Sequence, residues 1–552
     1  MKKHGLSKRI LLTRGDLFDA VEDRFRGRFD VVASNPPYVE EPYREKLQRE
    51  VSEHEPPAAL FAGSDGLDFI RRLVSNAAPW LKSGGRILFE IGRSQSAAVG
   101  QTARACGLCR ARVRKGLRRY RPRCLREEEM KKFVIEGGHK LNGKIRVSGS
   151  KNAALPILAA TLMTEDECRI SNVPDLSDIR VMCELLGELG VETEFSDGVI
   201  LTKPVDNTGY EATWEIVKKM RASVCVLGPL LAARSRAKVS YPGGCNIGTR
   251  PIDLHLKGLR ELGTNFDIEH GYIHGESRRL RGAKMYLGGH FGSSVLATAN
   301  VMSAAVLADG ETVISHAAAE PEVVALAEFL NAMGAKISGA GSSRIVVEGV
   351  SELHGAEYRV IPDRIETLTH VMAAGITRGR LRLLGAEPDH LSAVTDKLGG
   401  IGVQVDRIED GLEAYATGDI KPADITTLPY PGFPTDGQAQ MMALLATANG
   451  TSFITERVFP DRFMHVAELN RLGADIRRAG PTAVVNGVDK LSGAQIMAAD
   501  LRAGAGLVLA ALVAEGVTEI HRVYHIDRGY ESIEEKLCSV GAQIERTEAE
   551  AP

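Results

Sequence analysis

The chain has 552 residues, 44% of them apolar and 25% charged, with 69 Lys and Arg against 71 Asp and Glu. That length exceeds one hydrophobic core and predicts roughly three or four domains. A formal net charge of -2 excludes a global pull toward nucleic acid or anionic membrane, and no stretch approaches the ~20 apolar residues of a membrane span. The start, MKKHGLSKRILLTRGD, is basic, but its apolar run is too short for a signal peptide, so a cytoplasmic location is expected. Eight cysteines at irregular spacing form no disulfide framework and fit a reducing compartment. Cys106 and Cys109 make a CxxC with Cys124 beyond. A zinc site needs a fourth ligand, none lies nearby, and no metal is expected.

In chain order, FDVVASNPPYV and GGRILFEIG read as buried strands. GLDFIRRLVSNAAPWLK between them has helical spacing of its apolar positions. Strand, helix, strand predicts a piece of a parallel α/β sheet over residues 1–108. Residues 109–129, CRARVRKGLRRYRPRCLREEE, are densely basic without periodicity and read as a disordered linker. An RNA-binding arm would want interleaved aromatics, and only Tyr120 is present. Met130, followed by KKFVIEGG, looks like the start of a second protein, and a fused or mis-joined reading frame is expected.

From Met130 onward a block recurs, as in CELLGELGVETEF, AEFLNAMGAKI and EEKLCSVGAQI. Its glycines are Gly190, Gly263, Gly334, Gly402, Gly473 and Gly541, a period of about 70 residues. Each block predicts an amphipathic helix, a glycine C-cap and a strand. Six such units pack economically as two α/β domains of three, with a groove between them as the natural ligand site.

The motifs SGSKNAALPILAA, MRASVCVLGPLLA, PGGCNIGTRPIDLHL, FPTDGQAQ, DRFMHV, ADLRAGAGLVLA and YHIDRGYESIEEKL follow one another in this order. Together they resemble the UDP-N-acetylglucosamine 1-carboxyvinyltransferase family of enolpyruvyl transferases. The resemblance runs from Met130 nearly to the C-terminus. It implies a two-domain inside-out α/β barrel, with residues 130–150 and 359–552 in one domain and 151–358 in the other. It also implies transfer of the enolpyruvyl group of phosphoenolpyruvate to the 3-hydroxyl of UDP-N-acetylglucosamine with release of phosphate, the first committed step of peptidoglycan synthesis. Both compounds are substrates; no cofactor is implied.

Such a reaction needs cations for a phosphate and a carboxylate, an acid for the methylene carbon and a base for the hydroxyl. Cys245 lies among Gly243, Gly244 and Gly248, a loop able to close over substrate, and nearby Arg250 can bring the thiol's proton equilibrium toward neutrality. The resemblance implies that Cys245 is the general acid and can also bond covalently to phosphoenolpyruvate. A buried structural cysteine is the ordinary alternative, accepted for Cys168, Cys183, Cys225 and Cys538. Asp436 is the candidate general base, although an Asp after a Thr reads equally as a helix N-cap. Lys151 and Asn152 open a predicted helix, whose N-terminus favours an anion. The resemblance places both at phosphoenolpyruvate, Arg250 and Arg528 at its phosphate, and Arg462 and Arg502 at its carboxylate, a task suited to the planar guanidinium. Arg221, Pro251, Asp253, Leu254 and Val458 match nucleotide-sugar contacts, and Asp500 is expected to orient Arg502.

The chain departs from the family where Leu296 and Leu368 stand at positions expected to be glycine. A leucine at 296 is expected to crowd a diphosphate approach, so a divergent paralogue with an altered acceptor stays an alternative. The enzyme acting on shikimate 3-phosphate shares the fold but lacks the PGGC loop. Earlier in the chain, NPPY at Asn35–Tyr38 after a strand resembles the C-terminal half of a release-factor glutamine methyltransferase, over roughly residues 9–108. The glycine-rich turn and the acidic residue that would hold S-adenosylmethionine are missing. The expectation is a partial Rossmann-like fragment with an exposed sheet edge, no S-adenosylmethionine binding and no methyl transfer. No nucleic-acid partner is expected.

Overall fold

The computed structural model describes residues 13, 15–41, 57–89, 91, 95, 98, 99, 102, 131–241, 252–290 and 292–548. The chain divides into two compact units, Met1–Cys124 and Leu125–Pro552. The predicted linker 109–129, Met130, Cys106, Cys109 and Cys124 lie outside the described residues.

In the first unit the strands Phe29–Ser34 and Leu81–Phe89 pair in parallel, with helix Asp68–Ala77 between them in sequence. This is the strand, helix, strand order that the apolar spacing predicts. The helix stops short of the predicted end because Pro79 cannot continue it, and Leu81 and Lys82 join the second strand instead. A small core gathers Leu67, Ile70, Val74 and Val99. Val31 and Leu88, on the two strands, stay half exposed. Asn35 follows the C-terminal end of the first strand and is exposed.

Among the described residues, the second unit holds six four-stranded sheets. They share one plan: an outer strand runs parallel to its neighbour, and the next two pairings are antiparallel. In one sheet, Asp424–Thr426 pairs in parallel with Thr451–Thr455, which pairs with Thr482–Asn486, which pairs with Asp475–Ala479. Each repeat glycine sits between a helix and an outer strand. All six have positive φ, from 85° at Gly190 to 108° at Gly541, a conformation that favours a residue without Cβ after a helix end.

Helices, not sheets, fill the middle. Arg364–Ile376, Gln438–Leu445 and Leu501–Ala511 are buried almost all round and pack on one another. In a second cluster Lys151–Ala160 and Leu227–Arg234 each pack on the buried helix Val295–Val306. A helix apolar on every side has no solvent face, whereas strands such as Arg344–Glu348 alternate buried and exposed positions and cover the outside. Close approach of the inner helices needs glycine at matching places. A Cβ on Gly506 would lie 2.7 Å from the Ala439 carbonyl oxygen, and one on Gly228 would lie 2.1 Å from that of Asn300.

Two hydrophobic cores result. The first spans Phe133–Val147 and Ile365–Ile544, here lobe one; the second spans Ala153–Val360, here lobe two. The chain enters in lobe one, crosses to lobe two near Ser150 and returns near Pro362, where Gly149 and Pro362 form an antiparallel bridge. The first strand, Lys131–Glu136, lies inside the last sheet, between Val517–His521 and Gln543–Glu548.

Candidate active site

Two clusters of buried charge occupy the ends of the inner helices. The first joins the lobes. Lys151 begins helix Lys151–Ala160, whose N-cap Ser150 accepts from the Ala153 amide. Lys151 Nζ donates to Asp178 Oδ2 at 2.9 Å and to the Arg528 carbonyl at 2.8 Å. Arg528, in the turn Val523–Arg528 of lobe one, donates from Nε to Asp178 Oδ1 at 3.0 Å. Burial raises the Asp178 pKa, but Lys151 and Arg528 outweigh it and hold the carboxyl below its ordinary value. Asn152, beside Lys151, is half-buried.

The second cluster lies in lobe one. Asp436 sits in the turn Thr435–Gly437 ahead of helix Gln438–Leu445. Its carboxylate accepts from Arg462 Nη1 at 2.6 Å and from Arg502 Nε at 3.3 Å. It therefore binds two guanidiniums rather than capping the helix. Burial opposes its ionisation, yet Arg462, Arg502 and Arg364 together hold it far below the carboxylate range. Burial likewise works against the charge on Arg502, but Tyr530, Asp436 and Asp363 hold its pKa above the usual value. The Tyr530 ring lies 5.2 Å from the Arg502 guanidinium carbon. Asp500 accepts from the Arg502 and Ala503 amides at 2.8 and 3.0 Å, so it sets Arg502 through the helix N-terminus. The two clusters meet along Arg528–Tyr530: a Cβ on Gly529 would lie 3.5 Å from Arg502 Nη1.

Glu456, fully buried, ties the loops of the second cluster together. Its Oε1 accepts from Thr427 Oγ1 at 2.6 Å and from the Val458 and Phe459 amides at 2.8 and 2.9 Å. Its Oε2 accepts from Thr435 Oγ1 at 2.9 Å, and Thr435 Oγ1 accepts from Arg462 at 3.2 Å. Across the lobes, Arg364 Nε pairs with Glu322 at 3.0 Å. Asp178, Glu456, Glu322 and Arg364 were not among the residues expected from sequence.

The remaining candidates are dispersed. Arg221 opens the turn Arg221–Val226, Asp253 opens helix Asp253–Glu261 on an exposed position, and Leu254 packs against the lobe-two core. Val458 is half-buried. Cys245, Arg250 and Pro251 lie outside the described residues. Of the other cysteines, Cys168 and Cys225 are buried, and burial pushes the Cys225 thiol up to about 12. Cys538 is exposed, contrary to the buried role expected for it, and donates to the Ile544 carbonyl.

The family description EPSP synthase (3-phosphoshikimate 1-carboxyvinyltransferase) matches residues 135–537. The chain belongs to the EPSP synthase family of enolpyruvyl transferases. This family member is 53% identical over 419 residues to UDP-N-acetylglucosamine 1-carboxyvinyltransferase of Methylacidiphilum infernorum, covering 76% of this chain and 99% of that protein. It is equally similar, with the same coverage, to UDP-N-acetylglucosamine 1-carboxyvinyltransferase 2 of Carboxydothermus hydrogenoformans. Among solved structures, the enolpyruvyl transferase NikO from Streptomyces tendae superposes with a TM-score of 0.69 at 25% identity, covering 76% of this chain and 99% of that one. EPSP synthase from Acinetobacter baumannii shares the fold, with a TM-score of 0.59 at 18% identity over 76% of this chain and all of the other.

Within this enolpyruvyl transferase, the two leucines at positions expected to be glycine differ in setting. Leu368 is wholly buried in the lobe-one core, and its methyls lie 3.3 and 3.4 Å from where a Cβ on Gly437 would stand. Leu296, in the first turn of helix Val295–Val306, is half-buried against lobe two.

Proposed function

We propose that the second unit transfers the enolpyruvyl group of phosphoenolpyruvate to the 3-hydroxyl of UDP-N-acetylglucosamine, releasing phosphate, as the first committed step of peptidoglycan synthesis. The observation that carries this reading is 53% identity across 99% of a relative bearing that activity's name. Phosphoenolpyruvate and the UDP-sugar are the substrates, and the chemistry needs no cofactor. No helix among the described residues is long and apolar enough to cross a membrane.

The two clusters support roles for Lys151, Arg528, Arg462, Arg502 and Asp436; the other roles rest on the motif resemblance. Lys151 and Arg528 receive the phosphate, helped by Arg250, with Asn152 beside them. Arg462 and Arg502 receive the carboxylate. Asp436 takes the hydroxyl proton, and Cys245 delivers a proton to the methylene carbon. Arg221, Pro251, Asp253, Leu254 and Val458 hold the nucleotide sugar. The two lobes, residues 130–150 with 359–552 and 151–358, act as its two domains. The first unit we read as a remnant resembling a glutamine methyltransferase; its parallel strand, helix, strand order supports an α/β fragment, and without a glycine-rich turn it neither binds S-adenosylmethionine nor transfers methyl groups.

The test is phosphate release from phosphoenolpyruvate with UDP-N-acetylglucosamine, comparing the full chain, residues 130–552 and Cys245→Ala. Equal rates are expected for the first two and a near-total loss for the third. Full activity of Cys245→Ala would overturn the thiol's role. Fosfomycin should alkylate Cys245, and an unmodified thiol after exposure would place the site elsewhere.

A further inference from the structure

Arg462 and Arg502 are 5% and 2% exposed, while the one carboxylate they share, on Asp436, is 28% exposed at its side chain. The pairing is uneven. Arg462 makes a 2.6 Å bond through Nη1, Arg502 a 3.3 Å bond through Nε, and Arg502 Nη1 is buried without a hydrogen-bond partner among the described residues. Two buried guanidiniums present more donors than one carboxylate uses, and an unused buried donor carries a desolvation penalty. Asp436 also stands on the short turn Thr435–Gly437 at the head of helix Gln438–Leu445, at the more exposed end of the pair.

We infer that Asp436 is a resident stand-in for a substrate carboxylate: in the free protein it occupies Arg462 and Arg502, and the carboxylate of phosphoenolpyruvate displaces it from both. The displaced Asp436 is then released from the cations that suppress its basicity, so the event that seats one substrate also arms the base for the hydroxyl of the other. No bond is made or broken in the exchange; one anion replaces another on the same donors, and Arg502 Nη1 gains an acceptor. This rests on the enolpyruvyl-transfer reading above and adds an order of events to it: Asp436 accepts a proton only after the carboxylate has arrived.

The test uses the full chain and calorimetric binding of two probes without the UDP-sugar, phosphoenolpyruvate and inorganic phosphate. Asp436→Asn removes the competing charge, so phosphoenolpyruvate should bind at least about tenfold tighter while phosphate binding is unchanged. Unchanged or weaker phosphoenolpyruvate binding, or an equal gain for phosphate, would overturn the exchange. Turnover is read separately: an Asp436→Asn enzyme that still transfers the enolpyruvyl group would remove the base assignment itself, whatever the binding shows. Should the variant fail to fold, a crystal structure of the wild-type protein with phosphoenolpyruvate decides. The expected result is Arg462 and Arg502 on the ligand carboxylate, with Asp436 beyond hydrogen-bond reach of both. Asp436 still paired with Arg462 while the ligand carboxylate binds the arginines overturns the exchange and leaves the reading intact. A ligand carboxylate seated on other residues overturns both.

Discussion

Arg528 reaches from lobe one to Asp178 of lobe two, Nε to Oδ1 at 3.0 Å. The same carboxylate holds Lys151, and the Lys151 and Asp178 side chains are each 7% exposed. Removing one member of a buried pair leaves a charge unpaired, at about 3–5 kcal/mol. Asp178→Ala is therefore expected to lower the unfolding free energy by about 3 kcal/mol in urea titration. Asp178→Asn should cost less, because its amide oxygen still accepts a hydrogen bond. In both, KM for phosphoenolpyruvate should rise more than kcat falls, since the two cations lose their common anchor. Wild-type stability in Asp178→Ala would show that water replaces the carboxylate.

Acid should destabilise the second unit in two stages. Burial pulls His465 down to about 4 from an ordinary 6.5. Between those values the unfolded chain takes up a proton that the fold refuses, so stability falls as pH drops from 6.5 toward 4, on the order of 2–3 kcal/mol. Glu366 behaves as a depressed acid: burial opposes its charge, but His370 and Lys536 hold it at about 2 against 4.5. Its contribution is complete above pH 4.5 and is lost as pH falls toward 2. His465→Phe should flatten the first stage and leave the second, as read by urea unfolding at a series of pH values. A first stage that survives the substitution would assign it to another group.

Glu456 is the hub of two loops, with four hydrogen bonds to its carboxylate. Glu456→Ala would leave Thr427, Thr435 and two amides without their acceptor. A loss of about 3 kcal/mol is expected, with a rise in KM for phosphoenolpyruvate because Thr435 also fixes Arg462. Glu456→Gln keeps the shape and one acceptor oxygen and should recover most of the KM. Equal KM values in the two variants would argue that the loops hold their place without the carboxylate.

Leu368→Gly would restore the residue expected from the family pattern, yet it should harm this protein. The side chain is fully buried, so its removal opens a cavity worth about 3–5 kcal/mol, and glycine inside a helix adds about 1 kcal/mol. Thermal unfolding should shift down by several degrees. No shift would mean that neighbouring side chains collapse into the space.

The architecture was legible because its signals are local. Six glycines with left-handed φ follow six helices, and helices such as Leu501–Ala511 are apolar on every face. Asp436, Arg462 and Arg502 were legible as motif residues, and the structure brings them together. Their pairing in the free protein was not legible, since a carboxylate and a guanidinium 66 residues apart carry no mark of contact. Asp178 was missed for the same reason: an acid in the first turn of a helix reads as a complement to the helix dipole, while its partner Arg528 is 350 residues away. Glu456 reads as an ordinary strand-end glutamate until the two loops that converge on it are seen together.

The strand Lys131–Glu136, enclosed by two strands from the end of the chain, gives synthesis on the ribosome a fixed order. Residues 151–358 emerge as one continuous stretch and can complete the lobe-two core while later residues are still untranslated. Lobe one cannot finish then. Its first strand must wait for Val517–His521 and Gln543–Glu548, and throughout that interval it carries two bare hydrogen-bonding edges. The nascent chain is therefore most open to β-pairing with a neighbouring copy at the stage when lobe two is already folded.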